Sequence, residues 1–426
     1  MSFNTISVVG LGYIGLPTAA MFASHKIKVI GVDVNQHAVD TINRGEIHIV
    51  EPELDMLVHT AVTEGYLKAV TSPEPADAFL IAVPTPFKSS LNKESDSDIP
   101  EPDLSYIKSA AEAIATVLKK GDLVILESTS PVGATEQMAE WLAEARGDLS
   151  FPQQAGEAAD VNVAHCPERV LPGHVVRELV ENDRVIGGMT AKCSERAIEL
   201  YKTFVEGECV TTNARTAEMA KLTENSCRDV QIAFANELSM ICDKLDIDVW
   251  ELIALANRHP RINILQPGPG VGGHCIAVDP WFIVSKTPEQ AQLIHTARKV
   301  NDAKPEWVIN KVKIAIADFL QANPTKTAKE ITIACYGLAF KPDIDDLRES
   351  PAMFITEKIS EMHSGLVIAV EPNIHHLPLI LRGVELVSFE IASTRADIQL
   401  MLVDHKEFKE IEINTGILID TKGIWR

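Results

Sequence analysis

Residues 6–15 read ISVVGLGYIG, an apolar run that leads directly into the pattern GxGxxG. The apolar run predicts a buried β-strand, and the apolar spacing from Pro17 to about His25 predicts a helix directly after the glycines. Glycines at such a junction permit a tight turn and let a dinucleotide pyrophosphate approach the helix N-terminus. The stretch therefore predicts the first βαβ unit of a dinucleotide-binding sheet. The candidate cofactor contacts here are Gly10, Gly12, Tyr13, Ile14 and Gly15.

An aspartate ends the next predicted strand. Residues 28–33 read KVIGVD, and Asp33 stands 23 residues after Gly10. This is close to the roughly 20 residues expected before the acid that binds an adenosine ribose. Its carboxylate would accept hydrogen bonds from the ribose and repel a 2′-phosphate, which predicts NAD rather than NADP as the cofactor. The alternative is a glycine turn followed by an ordinary surface aspartate.

Two threonines follow later strand-like runs of the same segment. Thr85 comes after the run at 77–83, and Thr129 comes after the run at 122–127. Ligands of open α/β sheets bind beyond the carboxyl ends of the strands, so both hydroxyls are candidate cofactor contacts. Hydroxyls of ordinary turns or helix caps are the alternative.

The chain changes character twice. Strand-like and helical segments alternate through the first part, which predicts a parallel, doubly wound sheet. Between about residues 213 and 245 apolar residues recur at helical spacing without glycine or proline, and helical patterns continue to about residue 321. Alternation then returns. The prediction is an α/β protein in which two doubly wound Rossmann-like domains, residues 1–210 and 326–426, are joined by a central helical domain, residues 211–325.

Composition excludes several classes of protein. The 426-residue chain has 46% apolar residues and a formal net charge of −21, which argues against nucleic acid or an anionic membrane as its main partner. The seven cysteines form no CxxC pair, so neither a zinc site nor a disulfide framework is indicated, and no metal is expected. No apolar run reaches the ~18 residues of a membrane-spanning helix. A cytoplasmic protein with reduced thiols is the resulting prediction.

A second glycine-rich stretch carries a cysteine. Residues 267–275 read PGPGVGGHC, and their four glycines and two prolines exclude helix and ordinary strand. Such a loop would present the Cys275 thiol where backbone amides can approach a ligand closely. Asp279 follows four residues later, directly before Pro280. The alternative is a helix that is capped by Asp279 and begins at Pro280, with Cys275 buried as part of a core.

Five motifs occur in order along the chain. They are the GxGYxG turn, Pro167-Glu168-Arg169, Glu218-xx-Lys221-xxx-Asn225, PGxGxGGHCxxxD, and the stretch from Phe340-Lys341-Pro342-Asp343 to Asp346-Leu347-Arg348-Glu349-Ser350-Pro351. In this order, and across essentially the whole chain, they resemble the UDP-glucose/GDP-mannose 6-dehydrogenase family. The resemblance implies an NAD-dependent, four-electron oxidation of the C6 alcohol of a UDP-sugar to a carboxylate.

The resemblance also implies roles for four catalytic residues. Cys275, as a thiolate, would add to the aldehyde formed by the first oxidation, and the thiohemiacetal would be oxidised to a thioester that water hydrolyses. Lys221 would act as acid/base and stabilise the oxyanion. Asn225 would fix the sugar or an ordered water, and Asp279 would be the carboxylate near the thiol. An exposed helix lysine and an ordinary polar position are the alternatives for Lys221 and Asn225.

A diphosphate has to be held within an acidic protein, and the family's substrate-site positions supply basic side chains for it. The candidate substrate contacts are Glu168, Arg169, Val170, Lys221, Asn225, Arg228, His259, Arg261, Gly272, Phe340, Lys341 and Lys422. Arg348 matches a position that faces the cofactor. Each basic residue has a surface ion pair as its alternative, and Glu168 has an interdomain contact or a structural ion pair.

The substrate is narrowed by two stretches, PERVLPG at 167–173 and RHPRIN at 258–263. Both resemble family members that act on UDP-N-acetyl-D-mannosamine. Pro172 stands where members acting on UDP-glucose carry a second acid, which disfavours that sugar. UDP-N-acetylglucosamine is the nearest alternative substrate. A single-step hydroxyacid dehydrogenase and a non-catalytic NAD-binding regulator are the other functional alternatives. The long central helix and the resemblance together predict a homodimer.

Overall fold

The computed structural model describes residues 3–49, 51–88, 99–170, 173–273, 275–409, 411, 413 and 415–425. The chain forms two compact units. The first unit comprises Met1–Glu224 and Trp281–Thr287, and the second comprises Asn225–Pro280 and Pro288–Arg426.

The first unit is built on one large sheet, which has eight strands in the described part of the chain. The strands are β1 (Thr5–Val9), β2 (Lys28–Val32), β3 (Leu67–Val70), β4 (Ala78–Ile81), β5 (Leu123–Leu126), β6 (Asn162–His165), β7 (Arg184–Gly188) and β8 (Cys209–Asn213). Their order in space is β3-β2-β1-β4-β5-β6-β7-β8, and neighbours run parallel except for β6 and β7. Because β1 lies between β2 and β4, the strand order reverses there, and ligands of such sheets bind at the carboxyl ends beside this point.

Helices pack on both faces of this sheet. They are α1 (Gly15–Ser24), α2 (Gln36–Asn43), α3 (Leu54–Thr63), α4 (Ser105–Ala115), α5 (Ala134–Ala145), α6 (Pro152–Ala155), α7 (Val175–Glu181) and α8 (Ala191–Tyr201). Side chains alternate between the faces along each strand, so Ile6 and Val8 pack in one core with α1, while Val9 packs in the other with α4 and α5. Burial on both faces explains why the run at 6–9 is so apolar.

The second unit combines long helices with a smaller sheet. The helix α9 (Ala214–Leu245) begins in the first unit and ends in the second, and α10 (Val249–Ala256) and α12 (Gln292–Ala322) lie in the second. The helix α11 (Asp279–Lys286) begins in the second unit and ends in the first. The helices α13 (Pro351–Met362) and α14 (Phe389–Arg395) accompany the sheet. Among all these helices of the described ranges, none is both long enough and apolar enough to cross a bilayer.

The smaller sheet is parallel throughout its described strands. These are β9 (Thr332–Tyr336), β10 (Leu366–Val370), β11 (Val384–Leu386), β12 (Ile398–Met401) and β13 (Ile417–Asp420), in the order β11-β10-β9-β12-β13. The predicted fold class, two Rossmann-like sheets with a central helical region, is thereby confirmed. The domain limits 1–210, 211–325 and 326–426 remain a proposal, because compactness assigns most of the central helices and the smaller sheet to one unit.

A buried ionic cluster links three strands of the first unit. Arg184, at the start of β7, places one guanidinium nitrogen 2.9 Å from a carboxylate oxygen of Glu168 and another 3.9 Å from Glu127. The Tyr201 hydroxyl donates to Glu127 at 2.5 Å. Burial raises the pKa of Glu127 to about 7, and the charge of Arg184 acts in the opposite direction.

We expect Glu127→Gln to make the stability of the protein less dependent on pH. A carboxyl whose pKa is raised from 4.5 to about 7 keeps a proton that the unfolded chain has already released, so the wild-type protein loses stability as the pH rises through that interval. The loss is on the order of 3 kcal/mol, because each pKa unit corresponds to about 1.4 kcal/mol. Glutamine resembles the protonated acid and does not titrate.

Thermal unfolding of the full chain at about pH 5 and about pH 8 checks this expectation. From about pH 5 to about pH 8, the Tm of the wild-type protein should decrease by several degrees more than the Tm of Glu127→Gln. Glu144→Gln, which changes an exposed glutamate of α5, is the matched control and should follow the wild type. The same pH dependence in all three proteins would contradict the role given to Glu127.

Candidate active site

The glycine turn between β1 and α1 packs closely against the protein at two of its glycines and is open at the third. Gly10 has φ +91°, and its amide donates to the Val32 carbonyl at 2.8 Å. A Cβ at Gly10 would lie 2.6 Å from the Ala82 carbonyl oxygen, and one at Gly15 would lie 1.8 Å from the Gly10 carbonyl oxygen. Both positions therefore require glycine. At Gly12 no atom of the described residues lies within 4 Å of a Cβ, so the space there is open, as the predicted pyrophosphate contact requires.

Asp33 is held beside this turn by backbone amides. One carboxylate oxygen accepts a hydrogen bond from the Leu11 amide at 2.9 Å, and the other accepts one from the Asn35 amide at 2.9 Å. The carboxylate is thus fixed between the glycine turn and the start of α2. This placement beside the glycine turn supports the contact with an adenosine ribose, which remains a prediction.

The loops after β4 and β5 carry Thr85 and Thr129, and both side chains are half-buried. The Ser128 hydroxyl donates to the Val83 carbonyl at 2.7 Å, which ties the two loops together. The hydroxyl oxygen of Thr85 is buried and has no hydrogen-bond partner among the described residues. An unpaired buried hydroxyl supports the prediction that this residue meets a ligand. Of the other candidate contacts on the glycine turn, Tyr13 is 39% exposed and Ile14 is half-buried.

The first turns of α9 are anchored to the start of α5. The Glu218 carboxylate accepts hydrogen bonds from the Gly133 amide at 2.7 Å, the Thr135 amide at 2.8 Å and the Thr135 hydroxyl at 2.7 Å. Glu218 is buried, and Lys221 follows one turn later with a half-buried side chain. In the sequence Glu218 was only one position of a motif. In the structure its hydrogen bonds hold the segment that carries Lys221.

The PER motif forms ion pairs within the first unit. Glu168 is 7% exposed and binds Arg184, which is the structural ion pair that was one of its two alternatives. The Arg169 guanidinium lies 2.6 Å from the carboxylate of Glu224. Val170 is half-buried, and Pro172 lies outside the described residues. Arg184 is thus paired with Glu168, and Arg169 is paired with Glu224. Arg169 could bind a substrate only if it exchanged Glu224 for that ligand.

Three of the four candidate catalytic residues come together in the second unit. The Asn225 amide nitrogen donates to the Asp279 carboxylate at 2.6 Å. The amides of Val278 and Asp279 both donate to the Cys275 carbonyl, at 3.1 and 2.9 Å. Cys275 is exposed, and α11 begins at Asp279 itself. Cys275 is therefore not buried in a core, as the alternative required, and α11 begins one residue earlier than that alternative placed it.

The cysteine loop, residues 267–275, is described at 267–273 and 275, and its glycines pack on the segment that follows β9. A Cβ at Gly272 would lie 2.5 Å from the Glu349 carbonyl oxygen and 2.9 Å from Cβ of Phe340, and one at Gly273 would lie 3.0 Å from the Phe340 ring. Glycine is required because these two backbones are so close. Lys422 lies at the start of the loop, since its Nζ would be 3.6 Å from a Cβ at Gly268. The structure thus brings Phe340 and Lys422 to the loop that carries Gly272 and Cys275.

The remaining basic candidates all have exposed side chains. Arg228 is exposed on α9, His259 and Arg261 are exposed after α10, and Lys341 is exposed after β9. Arg348 forms an ion pair with Asp346 at 2.5 Å. Their roles remain predictions.

Two buried residues that the sequence did not suggest hold the Phe340–Asp343 segment. The Glu371 carboxylate accepts hydrogen bonds from the Leu338 and Ala339 amides, at 2.7 and 3.1 Å. The His405 Nδ1 atom accepts from the Asp343 amide at 3.0 Å, and its Nε2 lies 3.0 Å from Glu371. Glu371 follows β10 and His405 lies beyond β12, the two strands that flank β9. The rule that ligands bind beyond carboxyl ends could have drawn attention to both.

Family models match three stretches of the chain. Residues 4–205 match the NAD binding domain of the UDP-glucose/GDP-mannose dehydrogenase family, residues 215–303 match its central domain, and residues 334–426 match its UDP binding domain. The chain belongs to this family. The predictions of an NAD-dependent oxidoreductase and of NAD as its cofactor are thereby confirmed, while the roles of individual residues stay predictions.

Individual relatives agree with this assignment. A UDP-N-acetyl-D-mannosamine dehydrogenase of Yersinia pestis is 69% identical over 430 residues, which cover 100% of both chains. An NDP-N-acetyl-D-galactosaminuronic acid dehydrogenase of Ralstonia nicotianae is 64% identical over 428 residues, which cover 100% of this chain and 97% of the relative. The solved structure of a UDP-D-ManNAc dehydrogenase from Pyrococcus horikoshii is 37% identical, covers 99% of this chain and 96% of its own, and superposes with a TM-score of 0.84.

The placement of Asp33 predicts a strong preference for NAD over NADP. Asp33→Asn keeps an acceptor for the Leu11 amide but removes the charge that repels a 2′-phosphate, so it separates the electrostatic role from the structural one. We expect the ratio of kcat/KM for NAD to that for NADP to fall by roughly tenfold or more, since one charge contact is worth more than about 1.4 kcal/mol. Initial rates with each cofactor provide the measurement. Asp40→Asn, on the exposed face of α2, is the control. Similar kcat/KM values for the two cofactors in the wild-type enzyme would refute the assignment.

Proposed function

We propose that the protein oxidises the C6 alcohol of UDP-N-acetyl-D-mannosamine to the corresponding uronate in two successive hydride transfers. The observation that carries the proposal is the exposed Cys275 on a glycine-rich loop packed against Phe340, with Asp279 and Asn225 bonded to each other beside it. The choice of sugar rests on the Yersinia pestis relative. The product would be a charged sugar nucleotide suited to surface polysaccharide synthesis.

The residues divide the chemistry as follows. NAD bound at the glycine turn would accept a hydride from C6 in each oxidation. Lys221 takes the proton of the C6 hydroxyl in the first step and stabilises the oxyanion of the later tetrahedral intermediates. Cys275 forms a bond from sulfur to the aldehyde carbon, and oxidation of this thiohemiacetal gives a thioester. Water then breaks the carbon–sulfur bond, which releases the acid and returns the thiolate.

Asn225 and Asp279 act on the thiol and the water. Asp279 lies four residues after Cys275 in the sequence. It is 3% exposed and accepts a hydrogen bond from Asn225, so its carboxylate is held in one orientation. A fixed carboxylate at this point would orient the water that hydrolyses the thioester and take up its proton. The carbonyl oxygen of the Asn225 side chain would be the acceptor that fixes the sugar or an ordered water.

A cytoplasmic homodimer is part of this proposal. In the second unit, α9 exposes Phe234, Ile241 and Leu245, which are 55%, 44% and 61% accessible. Their spacing of seven and four residues places them on one face of the helix. Exposed apolar side chains in such a row support association of two copies along α9.

A panel of sugar nucleotides tests the proposed substrate. We expect two NADH per molecule of UDP-N-acetyl-D-mannosamine, and a kcat/KM at least roughly tenfold above those for UDP-N-acetylglucosamine, UDP-N-acetylgalactosamine and UDP-glucose. A higher value with the galacto sugar would transfer the assignment to the activity named for the Ralstonia nicotianae relative. One NADH per substrate would instead favour a single-step dehydrogenase, and none would favour a non-catalytic NAD-binding protein.

Replacement of Cys275 tests the covalent step. Cys275→Ala has no sulfur to bond the aldehyde, so formation of the acid should fall by at least about 10³-fold, while a slow first oxidation survives. NADH and acid are quantified in the same reaction. Cys227→Ala, which removes another exposed cysteine, is the control and should keep two NADH per substrate. If Cys275→Ala still gave two NADH at a rate near that of the wild type, the covalent mechanism would be wrong.

A further inference from the structure

A row of buried polar side chains joins α9 to α12 in the second unit. Its members are Asp229, Asn236 and Ser239 of α9 and Arg298, Asn301 and Lys304 of α12. Buried polar and charged groups cost free energy unless they are fully paired, and apolar side chains could hold two helices together without that cost. A role in positioning explains the row better than a contribution to stability.

Asn236 connects this row to the cysteine loop. Its side-chain oxygen accepts a hydrogen bond from the Gly268 amide at 2.9 Å, and its side-chain nitrogen donates to the Asn301 oxygen at 2.9 Å. Asn236 is fully buried, so water does not replace either bond. The Gly268 amide can only donate, and this fixes which end of the Asn236 amide faces the loop.

The orientation of Asn301 is fixed in turn by a buried ion pair. Its side-chain nitrogen donates to the Asp229 carboxylate at 2.7 Å and to the Asp229 carbonyl at 3.1 Å. The same carboxylate oxygen accepts from the Arg298 guanidinium at 2.6 Å. Hydrogen bonds therefore run without a break from Arg298 through Asp229, Asn301 and Asn236 to Gly268.

One helix, α9, thus holds the chain on both sides of Cys275. Asn225 binds Asp279 after Cys275, and Asn236 binds Gly268 before it. Asn225 and Asn236 are 11 residues apart, which is about three turns of α9, so both side chains lie on the same face. At Gly270 the loop packs closely on Pro351, because a Cβ at this glycine would lie 3.0 Å from the proline side chain.

We propose that Asn236, oriented by Asn301, is a positioning residue that places the Cys275 thiol for attack on the aldehyde. This inference rests on the proposed two-step oxidation. In the first oxidation the C6 hydrogen leaves as hydride to NAD and the hydroxyl proton goes to a base, and no bond to sulfur forms. In the second, sulfur bonds to C6, a second hydride goes to a second NAD, and water displaces the sulfur. Only the second half depends on where the loop holds the thiol.

The test is the partition of products in Asn236→Leu, which keeps the number and branching of the side-chain heavy atoms and loses both hydrogen bonds. Enzyme in excess over UDP-N-acetyl-D-mannosamine is mixed with excess NAD and quenched at intervals, and NADH, 6-aldehyde and acid are quantified. We expect the first NADH to form within about threefold of the wild-type rate. Acid formation should slow by roughly ten- to a hundredfold, because a displacement of about 1 Å can cost up to ~10²-fold, and the aldehyde should accumulate.

A second variant and a matched control keep the test decisive. Asn301→Leu leaves the Gly268 bond possible but removes the group that orients Asn236, so it should shift the products in the same direction and less strongly. It decides the question if Asn236→Leu does not fold. Gln399→Leu removes a buried amide of β12 that accepts from the Tyr336 hydroxyl at 2.6 Å, and it should lower the Tm without accumulation of aldehyde.

Two outcomes would overturn the inference. In one, the Asn236 and Asn301 variants form no more aldehyde than Gln399→Leu. In the other, both oxidations slow equally, which would indicate a general structural role. Failure of the proposed function is distinguishable from these, because the wild-type enzyme itself would then yield fewer than two NADH per UDP-sugar.

Discussion

Parallel pairing of strands is the constraint on which both units depend. When neighbouring strands run parallel, all their carboxyl ends meet at one edge, and the loops that leave them are gathered there whatever their distance in sequence. In the first unit this edge carries the glycine turn, Asp33, Thr85 and Thr129. In the second unit it gathers the segment after β9 with its supports from the neighbouring strands β10 and β12. The same geometry thus underlies the dinucleotide site predicted in the first unit and the substrate site proposed in the second.

Buried polar groups set the finer geometry at these edges. Glu218, Glu371 and Asn236 each accept hydrogen bonds from backbone amides of a loop that carries a candidate site residue. A backbone amide held by a buried carboxylate or carboxamide cannot shift without leaving a polar atom unpaired, which costs about 1–3 kcal/mol. The loops are rich in glycine and could adopt many conformations on their own. These buried hydrogen-bond acceptors hold each loop in a single conformation.

The sequence predicted those features that depend on local spacing. The strand, glycine turn and helix at 5–24 and the position of Asp33 follow from contacts between residues close in sequence, which a pattern can reveal. β3, β7, β8 and β11 were not predicted; β7, with the sequence RVIGG, ends in two glycines, and β8, with the sequence CVTTN, is largely exposed, so neither has the pattern of a buried strand. The exposure of Cys275 could not be decided from its loop alone. The bond from Asn236 to Gly268 spans 32 residues and has no local signal at all.

The length of α9 has a consequence for how this protein can vary. A helix advances by about 100° of rotation per residue, so one residue inserted between Asn225 and Asn236 would rotate one of them by about 100° relative to the other, away from the face they share. The two bonds to the cysteine loop could then no longer form together. Insertions and deletions in natural or engineered versions of this chain should therefore be absent from that stretch of α9, even where substitutions are common. The number of residues between Asn225 and Asn236, and not only their identity, is therefore under constraint.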